Sequence, residues 1–211
     1  MAGLCALISA LTMWGATTDL LAAARLSSVR SEVEQTTARD FMQEMTRHMA
    51  LAQLSAWSDA RSARLLISFL LSGAAGLAFA ASLRILWPFG LRREGMRSLL
   101  TRALIWTAAV RTIAGAAEAG AMRYAGESLK KHHETLPGRE QWLASMPEAD
   151  RQELDAVVSL IIDRAPTAMF SFAVVYTLIV AGLFVMFWRY FGREDVKKTL
   201  VAADDTPPPA L

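Results

Sequence analysis

An arginine in the middle of an apolar run is the first place to look for chemistry in this chain. Arg111 is flanked by Ala108, Ala109, Val110 and Thr112. In hydrocarbon, a charge at that depth costs at least ~2.5–3.5 kcal/mol on insertion scales, so Arg111 must face the protein interior and hold a partner. Glu118 lies two helical turns on, along the same face and ~10 Å farther along the axis. Asp19 closes the first apolar stretch, and Asp163 opens the last, two residues before Ala165. Asp19, Arg111, Glu118 and Asp163 therefore form a candidate intramembrane polar cluster. Two chemistries fit it: a site for an ion, a proton or an anionic ligand, and a structural ion pair with snorkelling. The structural reading is preferred, because buried pairs commonly serve packing.

The remaining reactive side chains point to less. His132 and His133 precede Glu134, which suggests a metal. Neighbouring residues on a helix point about 100° apart, however, and do not converge as ligands four residues apart do. These two and His48 are expected in solvent, on an outer surface. Cys5 stands alone and has no disulfide partner within the chain. Too few residues precede it for a lipoprotein signal. No nucleophile elbow, phosphate loop, zincin helix or paired-cysteine motif occurs. RNA-recognition and zinc-finger patterns are missing too, and a net charge of +2 supplies no field for nucleic acid. The chain is expected to be no enzyme and to hold no cofactor or metal.

The elements that must position Arg111 come from four apolar stretches. Leu65–Leu83 and Ala165–Trp188 contain no Asp, Glu, Lys or Arg, and Ala2–Thr18 is also uncharged. Leu99–Met122 is the weakest, broken by Arg102, Arg111 and Glu118. A helix needs about 20 apolar residues to cross hydrocarbon. Apolar residues make up 54% of the 211-residue chain and concentrate in these stretches. The first could instead be a cleaved signal sequence ending near Ala22, Ala23 and Ala24. Against that, no Lys or Arg precedes the run, and Asp19 sits close to the cleavage position.

Charge placement orders the stretches. The second ends at Trp87, Pro88, Arg92 and Arg93; the fourth ends at Trp188, Arg189, Arg193, Lys197 and Lys198. Interfacial tryptophan followed by basic residues marks a cytoplasmic end. The linker after the second stretch carries Arg84, Arg92, Arg93, Arg97 and Arg102 against Glu94 alone, whereas acidic residues outnumber basic ones between Arg123 and Arg164. If stretches two and four both run outside to inside, the chain must cross back through Leu99–Met122. Both termini are then cytoplasmic, with residues 30–60 and 125–160 outside, in an inner or plasma membrane.

Outside the spans, helix is expected again. Arg25 to Arg64 contains neither Pro nor Gly and should be nearly continuous helix with one turn. The second outer region breaks at Pro137 and Gly138 and restarts at Ser145, with Glu148 completing a capping box. Leu154, Val157, Val158, Leu160 and Ile161 then give an amphipathic or buried helix, with Pro166 a candidate kink. Ser72, Gly76 and Ala80 recur every four residues, as do Ala108, Thr112, Ala116 and Gly120, and Ala117 with Ala121. Such rows let helix backbones approach closely.

The fold class is thus all-α: a polytopic four-helix membrane protein with helical outer excursions. Phe89, Gly90 and Arg92 to Glu94 echo Phe191, Gly192, Arg193 and Glu194. Asp19 and Glu118 precede these motifs at nearly equal separations. A 2+2 parallel repeat about the membrane normal accounts for this, with convergence of cytoplasmic helix ends as the alternative. The divisions are residues 1–96, a first hairpin; 97–200, a second; and 201–211, a disordered tail. The expected function is assembly or scaffolding through helix–helix contacts. The expected partners are the lipid bilayer and either a second copy or another membrane protein. The runner-up is a small transporter or channel-like protein with its path around Arg111. A weaker third reading is a sensory input module.

Overall fold

A computed structural model describes residues 1–87, 92–137, 139–145 and 147–205. The described residues form helices and connecting turns, with no strand among them. In chain order the helices are α1 (Ala2–Ala24), α2 (Leu26–Gln35), α3 (Phe41–Asp59), α4 (Arg61–Leu86), α5 (Arg93–His132), α6 (Arg139–Ala144), α7 (Glu148–Phe191) and α8 (Glu194–Asp205). A single 3-10 turn, His133–Thr135, follows α5. Three helices are long and apolar enough to cross a membrane: α1, α4 and the Asp150–Phe191 part of α7. The apolar part of α5 carries Arg102, Arg111 and Glu118.

The expected single turn between Arg25 and Arg64 falls at residues 36–40. Asp40 stops the chain from continuing as helix there. Its side chain accepts a hydrogen bond from the Gln43 N–H at 2.8 Å, while Gln43 Oε1 accepts from the Arg39 N–H at 3.0 Å. This reciprocal pair satisfies donors that the start of α3 would otherwise leave unmet. Single-residue breaks at Arg25 and Ala60 separate α1 from α2 and α3 from α4.

Ser145 does not cap α7. Its hydroxyl donates to the Trp142 carbonyl at 2.7 Å and so closes the end of α6. Pro166 does not end α7, which continues through it. The tail expected from residue 201 begins as helix, since α8 runs to Asp205. The Asp204 carboxylate accepts from the Glu94 N–H at 3.3 Å, capping the start of α5. Residues 206–211, the Pro88–Leu91 part of the first closing motif, and Gly138 of the expected break lie outside the described residues.

The helices build two compact units. The first comprises Met1–Leu21, Leu65–Ala114 and Thr177–Leu211. Its main core joins Cys5, Ala78, Ala81, Leu100, Leu104, Phe184 and Phe187. A smaller cluster joins Ala16, Leu71 and Val110. The second unit comprises Ala22–Arg64 and Gly115–Tyr176, around Phe41, Leu129, Leu136 and Ile162. Trp142 lies beside Phe41 with ring centroids 5.2 Å apart.

Arginines close helix ends in both units. In the second, Arg61 donates to the Ala23 and Ala24 carbonyls at 3.2 and 2.9 Å, capping α1. In the first, Arg97 donates to the Phe191 carbonyl at 2.9 Å, capping α7. Each guanidinium satisfies orphan carbonyls and meets the negative end of a helix dipole.

Candidate functional site: the Arg111 environment and the outer helices

The first unit has an inverted surface. Large apolar side chains point outward, among them Leu7, Leu11 and Trp14 on α1, Phe69 on α4, Trp106 and Ile113 on α5, and Leu178 and Ile179 on α7. Small and polar side chains share the interior with Leu100, Leu104, Phe184 and Phe187: Ser9, Ser82, Thr107 and Ala78 are completely buried. Two buried hydroxyls in this interior return to their own helix. Thr107 Oγ1 donates to the Ala103 carbonyl at 2.7 Å, and Ser82 Oγ donates to the Ala78 carbonyl at 2.7 Å and to Cys5 Sγ at 3.3 Å. Thr17 and Ser72 hydroxyls meet at 2.9 Å, joining α1 to α4.

Arg111 belongs to this interior, at 7% exposure. Asp19 and Glu118 are half-buried, and none of the three stands free. Asp163 is different. It is exposed in the second unit and pairs with Lys130 at 3.2 Å. Lys130 follows the apolar stretch of α5, and only the fold shows that it reaches Asp163.

The small-residue rows divide. On α4, Ser72 and Gly76 are half-buried and Ala80 is exposed; the buried register is Leu71, Ala75, Ala78 and Ser82. A side chain at Gly76 would meet Met13 Sδ at 3.2 Å, so α1 packs closely there. On α5, Ala108 and Ala121 are buried, but Thr112, Ala116, Ala117 and Gly120 are exposed. Most of this small-residue row on α5 thus lies on the surface of the chain.

In the second unit, His48 and His132 come together, which sequence spacing does not reveal. Their ring centroids are 5.3 Å apart, and His48 Nε2 lies 3.1 Å from Ser128 Oγ. Only tertiary folding of α3 against α5 makes them neighbours, so no local signal could find them. His132 and His133 turn back to carbonyls of their own helix, Nδ1 lying 2.9 Å from Ser128 O and 2.9 Å from Lys130 O respectively. Among the described residues, no group of three or more His, Cys, Asp or Glu could hold a metal. From the expected apolar face of α7, only Val158 packs against the core, whose buried α7 residue is Ile162, outside that expected face; Leu154, Val157, Leu160 and Ile161 are exposed.

Comparison of the chain with protein-family models, with curated proteins and with solved structures finds no match in any of the three.

Proposed function

We propose that this chain is a non-enzymatic integral membrane protein with four crossings and cytoplasmic termini, whose function is assembly through helix–helix contacts. The surface of the first unit supports the membrane reading, because lipid is the solvent that tolerates exposed Trp14, Trp106 and Leu178 together with buried Ser9, Ser82, Thr107 and Arg111. The second unit supports α5 as the fourth crossing. It joins residues of α3 to residues of α5 and α6 through the His48–Ser128 and Phe41–Trp142 contacts. Segments in such contact lie on one side of a bilayer. If α4 and α7 both cross, the chain between them must return, and α5 is the long helix there. The two halves each run out, form an outer excursion and run back, in keeping with the 2+2 repeat.

The observation that carries the assembly reading is the exposed row Thr112, Ala116 and Gly120 on α5. Association of helices in lipid depends on close backbone approach, which small residues permit. The test is Cys crosslinking in a Cys5→Ser background. Ala116→Cys is expected to crosslink to a membrane partner or to a second copy, and Gly120→Leu to abolish that product. A monomeric chain with no crosslink at Ala116 would contradict assembly through this face.

Transport around Arg111 is the second reading, favoured by the burial of that charge in a unit whose interior also holds Ser9, Ser82 and Thr107. Proteoliposomes separate the two readings. Transport requires a flux that Arg111→Ala abolishes while the fold survives.

A further inference from the structure

We infer that a crevice of the second unit binds the headgroup of a zwitterionic aminophospholipid; this rests on the membrane reading above. The crevice has a volume of about 330 Å³, within the roughly 300–1,000 Å³ typical of small-molecule sites. One wall is α5, where Arg123, Glu127 and Lys130 recur on successive turns of one face. The other wall is α7, with Asp163 and Thr167 beside the apolar Pro166 and Phe170.

The two helices meet at Gly126 and Pro166. A Cβ on Gly126 would lie 2.6 Å from Pro166 Cα. This close crossing makes the charged walls neighbours and fixes their spacing. Its level also matters. Arg123 directly follows the apolar stretch that ends at Met122, and Ala165 begins the last apolar stretch. Both walls therefore change from apolar to charged at the same place, as expected at the boundary between acyl chains and headgroups.

Two positive and two negative groups line the opening, already paired. Arg123 Nε contacts Glu127 Oε1 at 2.8 Å, and Lys130 Nζ contacts Asp163 Oδ1 at 3.2 Å. These pairs leave much bonding capacity unused. Arg123 keeps its terminal N–H groups, Lys130 keeps donors, and each carboxylate keeps an oxygen. A lone cation or anion would meet repulsion from half the set. A zwitterion complements all of it: phosphate oxygens toward Arg123 and Lys130, a primary ammonium toward Glu127 and Asp163, and acyl chains along Phe170. A primary ammonium donates three hydrogen bonds, whereas the quaternary group of choline donates none. The site therefore favours phosphatidylethanolamine over phosphatidylcholine.

The test uses the full chain purified in detergent, with lipid adducts counted by native mass spectrometry and melting followed by circular dichroism. Dioleoyl phosphatidylethanolamine is expected to bind about tenfold more tightly than the choline lipid, the scale of one hydrogen bond to a charged group. Glu127→Gln with Asp163→Asn makes the crevice positive. It should erase that preference and raise binding of phosphatidylglycerol. Should the double variant fail to fold, Glu127→Gln alone carries the same expectation. Free phosphoethanolamine should displace the lipid only at far higher concentration; displacement at equal concentration overturns the lipid as the source. Equal binding of the ethanolamine and choline lipids, or an unchanged preference in the variants, overturns the proposal. An alkaline carbonate wash separates its failure from that of the membrane reading, because a chain released by the wash is not integral whatever its headgroup preference.

Discussion

The two units differ in where they keep polar side chains. In the first, Ser9, Ser68, Ser82, Thr107, Arg111 and Thr177 are buried beside large residues such as Leu100, Leu104, Phe184 and Phe187, and many big apolar side chains lie outside. In the second, Phe41, Leu129 and Ile162 are inside, and ion pairs such as Arg123–Glu127 and Arg30–Glu34 lie outside together with exposed Ile161 and Phe172. An aqueous domain gains stability by removing apolar surface from water. In lipid that gain vanishes between helices, and close packing of small residues replaces it. The buried hydroxyls and Arg111 of the first unit are the groups that the proposed membrane reading keeps out of lipid.

Substitutions can break the comparison at either end. The largest effect is expected at Arg111. Truncation to Ala removes a buried charge and strands whatever it pairs with, at a cost of roughly 3–5 kcal/mol for a dry pair. A second change that neutralises the true partner should recover much of that loss. Equal thermal stability of the wild type, the single and the double variant would refute the ion-pair reading of the first unit.

Phe41 is the counterpart in the second unit. It is 1% exposed and packs on Trp142. Phe41→Ala should cost about 3–5 kcal/mol. Limited proteolysis is expected to cut between residues 22 and 64 while the protein stays in the membrane fraction. Loss of membrane retention would show that the spans depend on the outer core.

Gly126→Ala comes next. The new methyl group would meet Pro166 backbone atoms, which have no rotamer to relax into. Overpacking of this kind costs about 1–3 kcal/mol, read as a lowered melting temperature. Gly73→Ala on α4 is the control, because a methyl group there would meet nothing within 4 Å, and by helix propensity it should not lower the melting temperature.

The smallest effect separates caps from surface pairs. Arg61→Ala removes two bonds to the end of α1 and should cost roughly 1 kcal/mol. Arg30→Ala breaks a half-exposed pair with Glu34 and should change stability by well under that amount. Chemical denaturation of the two variants side by side checks the ranking.

Much of the helical plan is legible in the sequence, because apolar length and missing breakers act locally. The outward burial pattern is less so. An amphipathic helix in water announces its inner face through a polar opposite face. The apolar helices here lack that contrast, so Ser72, Gly76 and Ala80 read as a packing row although Ala80 is exposed, and the true register through Ala75 and Ala78 is invisible. Arg111 escapes this ambiguity because a charge strongly disfavours lipid, and it is indeed buried. The partner of Asp163 is not legible, since the approach of Lys130 depends on how α5 crosses α7. The pairing of Asp40 with Gln43 is legible in principle, as a capping pattern just before an apolar turn, but Ser145 and Glu148 offer a similar pattern that the chain does not use.

The most direct test of the four-crossing account is the sidedness of Arg30 and Gln152. Each is replaced by Cys, singly, in a Cys5→Ser background, and labelled in sealed vesicles with a membrane-impermeant maleimide. If α5 crosses, both positions react from the same, extracytoplasmic face. If only α1, α4 and α7 cross, Arg30→Cys and Gln152→Cys react from opposite faces, and the account is wrong.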